Sequence, residues 1–154
     1  MTLTFKKLRQ DAVIPKAQTK SSAGLDLCVC SDSPVTIAPG EIVTVNCGVA
    51  CCPDREDVVL LVFIRSSLGR KYGLTLANSV GVIDSDYRGE VHVALANHGQ
   101  QPYVIQPGER VAGVCAAPGG KSFTLAERMQ NRGALDAFDL YKGRVNLIRR
   151  GAER

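Results

Sequence analysis

The densest group of chemically useful side chains lies in the middle of the chain, between Gly81 and Glu90. This decapeptide, Gly-Val-Ile-Asp-Ser-Asp-Tyr-Arg-Gly-Glu, places two aspartates, a tyrosine and an arginine directly after a short apolar run. Such side chains suit proton transfer and anion binding. We expect the segment to form a hairpin. An ordinary β-turn, in which Asp and Gly serve backbone geometry alone, explains the decapeptide equally well.

Two upstream segments carry residues of the same kind. Residues 22–27, Ser-Ala-Gly-Leu-Asp-Leu, place an acid close to a glycine, and residues 65–69, Arg-Ser-Ser-Leu-Gly, follow the end of an apolar run. In a turn at 65–69, free backbone N–H groups, two hydroxyls and a guanidinium group would suit phosphate oxygens. A capped turn with a surface arginine is the alternative interpretation.

The elements that must position these residues are short β-strands. Apolar runs rich in β-branched residues alternate with Gly, Pro, Asn and Asp, and turn signals fall at 38–40, 97–99 and 106–108. Almost no helical period occurs before residue 120. The pattern predicts an all-β fold, a jelly roll or β-barrel with at most one short helix. The predicted strands are 35–37, 42–45, 58–64, 91–95 and 103–105.

The C-terminal part has a different character. Thr-Leu-Ala-Glu at 124–127 fits a capping box and Gly133 can end a helix, so a short helix is predicted there. Residues 145–148 predict a last strand. Residues 128–154 contain seven Lys/Arg against three Asp/Glu and hold all of the +4 net charge. A basic terminus can bind phosphate or nucleic acid, but it is more often a solvated end.

Length and composition favour one compact domain, since 154 residues suffice for a single core. No apolar stretch approaches about 18 residues, and the first residues lack the apolar region of a signal peptide. Six cysteines show no C-x-x-C spacing, and His92 and His98 are the only histidines. Buried, reduced thiols in a cytoplasmic or nuclear protein, neither secreted nor membrane-bound, are therefore predicted.

Four segments resemble, in order and spacing, the first four motifs of the trimeric dUTPases, the deoxyuridine 5'-triphosphate nucleotidohydrolases. They are Ala-Gly-Leu-Asp-Leu at 23–27, Arg-Ser-Ser-Leu-Gly at 65–69, Asn-Ser-Val-Gly-Val-Ile-Asp-Ser-Asp-Tyr-Arg-Gly at 78–89 and Gly-Glu-Arg-Val-Ala at 108–112. The similarity runs from about residue 3 to residue 115 and so covers most of the chain. The third motif is the most specific of the four.

The resemblance implies a fold, an assembly and an activity. We expect a jelly-roll β-domain over residues 1–120, with an atypical basic segment of the same domain at 121–154. The family forms homotrimers with three active sites at subunit interfaces. Its members hydrolyse dUTP to dUMP and pyrophosphate, so the resemblance implies a dUTP diphosphatase.

The resemblance also implies roles for individual residues. Asp84 would be the general base for a water that attacks the α-phosphorus, with Asp26 supporting the same region. Tyr87 would lie against the deoxyribose and exclude a ribose 2'-hydroxyl. Uracil would be bound by backbone groups, which disfavours cytosine because buried donors and acceptors would stay unpaired. The residues implied in this contact are Asn78, Gly81, Val82, Ile83 and the backbone at His92.

Phosphate and metal binding follow the same resemblance. Arg65, Ser66 and Ser67 would hold the triphosphate from the neighbouring subunit's side of the interface. Mg²⁺ is the implied cofactor, held mainly by phosphates and water, so no direct protein ligands are expected. The two histidines are therefore better explained as a strand residue and a turn residue.

The chain departs from the family pattern in two places. Gly113 stands where the fourth motif usually continues with a phosphate-binding glutamine. The fifth motif, a glycine-rich C-terminal arm whose phenylalanine stacks on uracil, is degenerate or missing, because residues 134–137 lack its glycines. A lid excludes water from a closed site, so slow turnover is expected without it.

Three other functions are compatible with parts of the sequence. A non-catalytic binding protein of dUTPase fold would account for Gly113 and the altered C-terminus, but not for a complete catalytic segment. A related dCTP deaminase is disfavoured because Ala94 stands where that class has its catalytic glutamate. Nucleic-acid binding depends on the basic C-terminus alone, since the chain lacks tryptophan and interleaved aromatic and basic residues.

Overall fold

The computed structural model describes residues 2–20, 22, 24–54, 56 and 59–115 of the chain. Within them it contains eleven strands and one helix. The predicted helix near 124–133, the predicted strand at 145–148 and the basic segment all lie outside the described residues.

The elements, in chain order, are β1 (Leu3–Lys7), β2 (Gly24–Cys28), β3 (Val35–Ile37), β4 (Ile42–Asn46), β5 (Val49–Pro53), β6 (Val59–Ile64), α1 (Ser66–Tyr72), β7 (Leu74–Leu76), β8 (Gly81–Asp84), β9 (His92–Asn97), β10 (Tyr103–Ile105) and β11 (Arg110–Cys115).

The strands form four antiparallel sheets around one core. Their strand orders are β2-β11-β6-β8, β4-β9-β7, β1-β5 and β10-β3. All four sheets contribute to a single cluster of buried side chains, which includes Leu27, Ile37, Val49, Leu95 and Val111. The prediction of an all-β jelly roll is confirmed, and the described residues contain one short helix, α1, at a place where the sequence predicted none.

Two turns share the sequence Pro-Gly-Glu and the same hydrogen bonds. In Ala38-Pro-Gly-Glu41 and Gln106-Pro-Gly-Glu109 the backbone N–H of the glutamate donates to the first residue's carbonyl, at 3.0 Å in both turns. The glycines have φ of 79° and 78°, values that suit glycine at the third position of a turn with proline at the second. Each glutamate carboxylate also accepts the backbone N–H of the first residue, at 2.8 and 3.0 Å. The predicted turns at these positions are confirmed.

The five predicted strands are present with small shifts at their ends. The structure adds six strands that the sequence did not predict, among them β1, β2 and β5. Of the five cysteines whose side chains the structure describes, four are buried as predicted and Cys52 is partly exposed. Among the described residues, no helix has the length and apolar character needed to cross a membrane.

Candidate active site

The first half of the candidate site is the end of β8 and the loop that follows it. Asp84 is the last residue of β8 and is exposed, and its carbonyl accepts the Tyr87 N–H at 3.1 Å. The expected hairpin is not formed. β8 pairs with β6, whereas β9 pairs with β4 and β7, so the strands on either side of the loop belong to different sheets.

Several contacts fix the tyrosine of this loop. The Tyr87 hydroxyl donates to the Glu90 carbonyl at 2.8 Å, and the Glu90 carboxylate accepts the Gly48 N–H at 2.7 Å. A Cβ atom at position 89 would come within 2.5 Å of the Tyr87 hydroxyl oxygen, so any residue other than glycine would force the Tyr87 ring to move. The tyrosine is 41% exposed and therefore presents a surface in a fixed place.

Asn78, Val82 and His92 surround this first half. Asn78 lies in the connection between β7 and β8, and its side-chain amide is within 3.8 Å of a Cβ built on Gly81. Val82 is 61% exposed, whereas Ile83 packs against the core. His92 begins β9, and its ring Nδ1 is 2.9 Å from Asn46 Oδ1 on β4. The imidazole is thus engaged with β4.

The second half of the candidate site begins where β6 ends. The predicted turn at 65–69 is wrong, because these residues form the start of helix α1, with Arg65 at the N-cap position. Ser66 and Ser67 occupy the first turn, where backbone N–H groups lack partners within a helix. Their hydroxyls form no hydrogen bond within the part of the chain that the structure describes. The hydroxyls, backbone N–H groups and guanidinium group expected in a turn are therefore present together, but at the start of a helix.

Arg110 joins this half to Asp26. Its Nη1 atom lies 3.1 Å from Asp26 Oδ2, and its carbonyl accepts a hydrogen bond from Arg65 Nη1 at 3.2 Å. The sequence contained Arg110 within the fourth motif but gave it no role. A sequence signal was present, since an arginine that opens a strand next to a predicted acidic site is a candidate partner for that acid.

A β-bulge brings Arg110 to this position. β11 pairs with β2 in regular register at Gly113↔Asp26 and Ala112↔Leu27, but Arg110 then lies opposite Cys28, so that Val111 is an extra residue. An unbroken register would place residue 110 on the opposite face of the sheet from Asp26. The bulge places both side chains on one face while Val111 stays fully buried.

The pKa of Cys28, which lies opposite Arg110 on β2, is affected by several charged side chains of this half of the site. Burial raises the pKa of the Cys28 thiol, and the Asp26 carboxylate raises it further. The positive charges of Arg110, Arg65 and Lys16 act on the same pKa in the opposite direction. Three cations and one carboxylate therefore lie near this thiol, and the region favours an anionic ligand.

Both halves lie on one face of the sheet β2-β11-β6-β8. Gly113 pairs with Asp26 and Phe63, Leu61 pairs with Val82, and Val59 pairs with Asp84. Residues paired across strands, and residues two apart along a strand, share a face. We call this surface the site face. It consists of Asp26, Gly113, Phe63, Leu61, Val59, Val82 and Asp84.

The two halves of the candidate site are far apart within one chain. Asp84 lies opposite Val59 at the start of β6, and Arg65 follows the end of that strand. Six residue steps of extended chain separate them, which amounts to about 20 Å. The surface between the halves is largely apolar, with Val59 48% and Val82 61% exposed. Asp84 and Arg65 of one chain therefore do not meet.

Gly113 leaves an open space on the site face. A Cβ atom at this position would lie 3.9 Å from the Leu25 carbonyl oxygen and 4.0 Å from Asp26 Oδ1, which are ordinary contacts. Gly113 is therefore not required by close packing, and free space lies beside Asp26. Within the described ranges, no three His, Cys, Asp or Glu side chains are grouped as metal ligands.

The fold and the site define a class of protein. This is a β jelly roll that presents carboxylates, an oriented tyrosine and a cationic half suited to phosphate. The dUTPase family model matches residues 10–138. The chain is 44% identical over 121 residues to the deoxyuridine 5'-triphosphate nucleotidohydrolase of Desulfitobacterium hafniense, covering 78% of this chain and 80% of that protein.

Solved structures agree with this match. The crystal structure of the Streptococcus mutans dUTPase is 38% identical, has a TM-score of 0.63, and the alignment covers 72% of this chain and 91% of that one. A mutant dUTPase of Staphylococcus aureus phage phi11, described with a structural Mg(II) ion, has a TM-score of 0.64 at 20% identity, covering 75% and 89%. The last likeness supports the fold only. The chain belongs to the dUTPase family.

Proposed function

We propose that this chain hydrolyses dUTP to dUMP and pyrophosphate. The observation that carries the proposal is the site face, on which an exposed strand-end carboxylate and an oriented tyrosine lie at one end and a cationic, hydroxyl-rich group at the other. Membership of the dUTPase family supports the choice of substrate. No separate observation favours a non-catalytic binding protein.

Asp84 is the proposed general base. It is exposed at the end of β8, its backbone is held by the ladder with β6, and its carboxylate forms no hydrogen bond within the described residues. A carboxylate in this position can accept a proton from a water aligned with the α-phosphorus, and pyrophosphate then leaves. Asp26, oriented by Arg110, supports the same region from the other half.

Arg65, Ser66 and Ser67 are the proposed phosphate-binding residues. The Arg65 guanidinium group is anchored at one nitrogen by the Arg110 carbonyl, which leaves its other N–H groups available. The two serine hydroxyls and the first N–H groups of α1 can donate to phosphate oxygens. Asp26, the carboxylate of this half of the site among the described residues, is already paired with Arg110.

The sugar and base are assigned to the first half. We propose that the Tyr87 ring contacts the deoxyribose and excludes a 2'-hydroxyl. Backbone groups at Gly81, Val82 and Ile83, with Asn78 and the backbone at His92, would bind the uracil edge. The Asn78 amide lies close to Gly81 at the start of β8, which agrees with a pocket beside this strand.

Mg²⁺ fits the donors that are present. The described part of the site offers hard oxygen atoms but no cluster of three ligating side chains. Mg²⁺ retains water and is commonly bound by one or two carboxylates together with substrate phosphates. The ion would therefore take most of its ligands from the triphosphate and water, and it would neutralise charge that develops on the phosphates. Arg65 and the serines position the phosphate chain that holds it.

A homotrimer with sites between subunits explains the separation of the two halves. Asp84 of one subunit would meet Arg65 and Asp26 of a neighbour, and burial of the apolar site face would stabilise the assembly. The five cysteines whose side chains the structure describes are free, which suits the cytoplasmic or nuclear compartment expected for the chain. The substrate is the nucleotide, and nothing on the described surface resembles a nucleic-acid platform.

Pyrophosphate release tests the proposal. The full chain is incubated with Mg²⁺ and with dUTP, dCTP, dTTP or UTP in turn, and a D84N variant is measured in parallel. We expect release from dUTP alone, lost in the variant while dUTP binding persists. Equal turnover in both proteins would refute Asp84 as the base. Binding of dUTP by the parent without turnover would instead support the non-catalytic binding protein.

A further inference from the structure

Lys16 lies next to the site face and has no role in the function described so far. An isolated antiparallel bridge pairs Lys16 with Asp26, and the Asp26 N–H donates to the Lys16 carbonyl at 3.1 Å. Residues directly opposite in such a bridge have their side chains on the same face, about 5 Å apart at Cβ. Lys16 therefore extends the row formed by Asp26, Gly113 and Phe63.

The ammonium group of Lys16 is available to a ligand. The residue is exposed, and its side chain forms no ion pair within the described residues. Asp26, the carboxylate nearest to it along the row, already has Arg110 as its partner. The Lys16 charge is thus not consumed by a neighbouring acid, and it acts on the Cys28 thiol together with Arg65 and Arg110.

Gly113 leaves a space that Lys16 can reach. A Cβ atom at position 113 would have no neighbour closer than 3.9 Å, so the surface beside Asp26 is open. Lys16 and Gly113 lie on either side of Asp26, two strand spacings or about 10 Å apart. The four-carbon stem of a lysine together with a hydrogen bond to a phosphate oxygen can cross this distance. An anion over Gly113 would therefore lie within reach of the ammonium group.

We infer that Lys16 is a phosphate-binding residue of this site, whose ammonium group binds the substrate's phosphate chain in the space that Gly113 leaves beside Asp26. The inference rests on the proposed function, since the triphosphate is its ligand. Lysine binds phosphate as a point charge with three rotatable donors, so it does not require the fixed geometry of an amide. The contact adds a cation to Arg65 on the same face.

Binding measurements in a D84N background test this inference without requiring turnover. Calorimetry with dUTP and Mg²⁺ compares D84N with D84N/K16M, D84N/K16R and, as a matched control, D84N/K6M. Lys6 is an exposed lysine on β1, away from the site face. We expect K16M to weaken binding about tenfold, as for one charge-assisted hydrogen bond, with K16R near the parent and K6M unchanged.

A second comparison tests whether the lysine fills the space at Gly113. The gain in dUTP affinity from G113Q should be larger in the K16M background than with Lys16 present, because one donor would replace the other. Equal gains, equal affinities of D84N and D84N/K16M, or equal losses in K16M and K16R would each overturn the inference. Absence of dUTP binding by both D84N and the Asp84 parent would overturn it together with the proposed function. Absence of turnover in the Asp84 parent, with binding retained, would count against the proposed function alone.

Discussion

Arg110 Nη1 lies 3.1 Å from Asp26 Oδ2, and the carbonyl of the same arginine accepts a hydrogen bond from Arg65. One residue thus orients an acid on β2 and a guanidinium group at the end of β6. The bulge at Val111 makes this possible, because it places the Arg110 side chain on the face of Asp26. The two motifs are therefore coupled through a third.

Replacing Arg110 should lower kcat/KM for dUTP while the protein stays folded at the assay temperature. R110M leaves the largely buried Asp26 carboxylate unpaired, and we expect kcat/KM for dUTP to fall about tenfold to a hundredfold. R110K retains a cation and should recover part of this loss. The measurement is steady-state kinetics with thermal unfolding as control. Equal losses in both variants, or a loss matched by unfolding at assay temperature, would contradict a positioning role.

The glycine beneath Tyr87 should control discrimination against ribose. In G89A the new methyl group would come within 2.5 Å of the Tyr87 hydroxyl, so the ring must move. We expect the ratio of kcat/KM for dUTP over UTP to fall about tenfold, because one misplaced contact is worth of order 1 kcal/mol or slightly more. Y87F removes the hydrogen bond to Glu90 without adding volume and should lower this ratio less. An unchanged ratio in G89A would show that the ring position does not set sugar specificity.

Assembly should depend on the apolar part of the site face. Val59 is 48% exposed and lies opposite Asp84, so V59K would place a charge in the proposed subunit interface. We expect a shift from trimer to monomer in analytical ultracentrifugation, with loss of dUTP turnover. Ile42, which is 63% exposed on β4 in another sheet, provides the control variant I42K. A V59K protein that remains trimeric would show that this face is not the interface.

The strands that the sequence predicted are those with β-branched runs between turn signals, such as β3 and β10. β2 and β5 were not predicted because Gly24–Cys28 and Val49–Pro53 contain glycine, cysteine, alanine and proline, which have weaker strand preference than the runs that were recognised. Both are strands because they pair with β11 and β1. Pairing with distant partners is not visible in local composition.

Helix α1 was missed for a related reason. Its sequence, Ser-Ser-Leu-Gly-Arg-Lys-Tyr, has glycine at its centre and only Leu68 as a buried residue, so it shows no apolar period. The resemblance to the family supplied the candidate site residues and assigned Arg65, Ser66 and Ser67 to a neighbouring subunit's side of the interface. The separation of about 20 Å between Asp84 and Arg65 within one chain was not predictable, because it follows from the register of β6 with β8.

The fold itself should depend on Asn97, the one buried polar side chain among the described residues. Its amide donates to the Ile37 and Gln101 carbonyls at 2.9 Å each, and its oxygen accepts the Gly99 N–H at 2.8 Å. N97A removes three hydrogen bonds and leaves buried groups unpaired, so we expect a loss of about 3 kcal/mol in the free energy of unfolding. Urea unfolding measures it, with N46A as control. Asn46 is exposed, and its loss should cost no more than about 0.5 kcal/mol; similar costs in both variants would show that burial of Asn97 is not what makes its hydrogen bonds important.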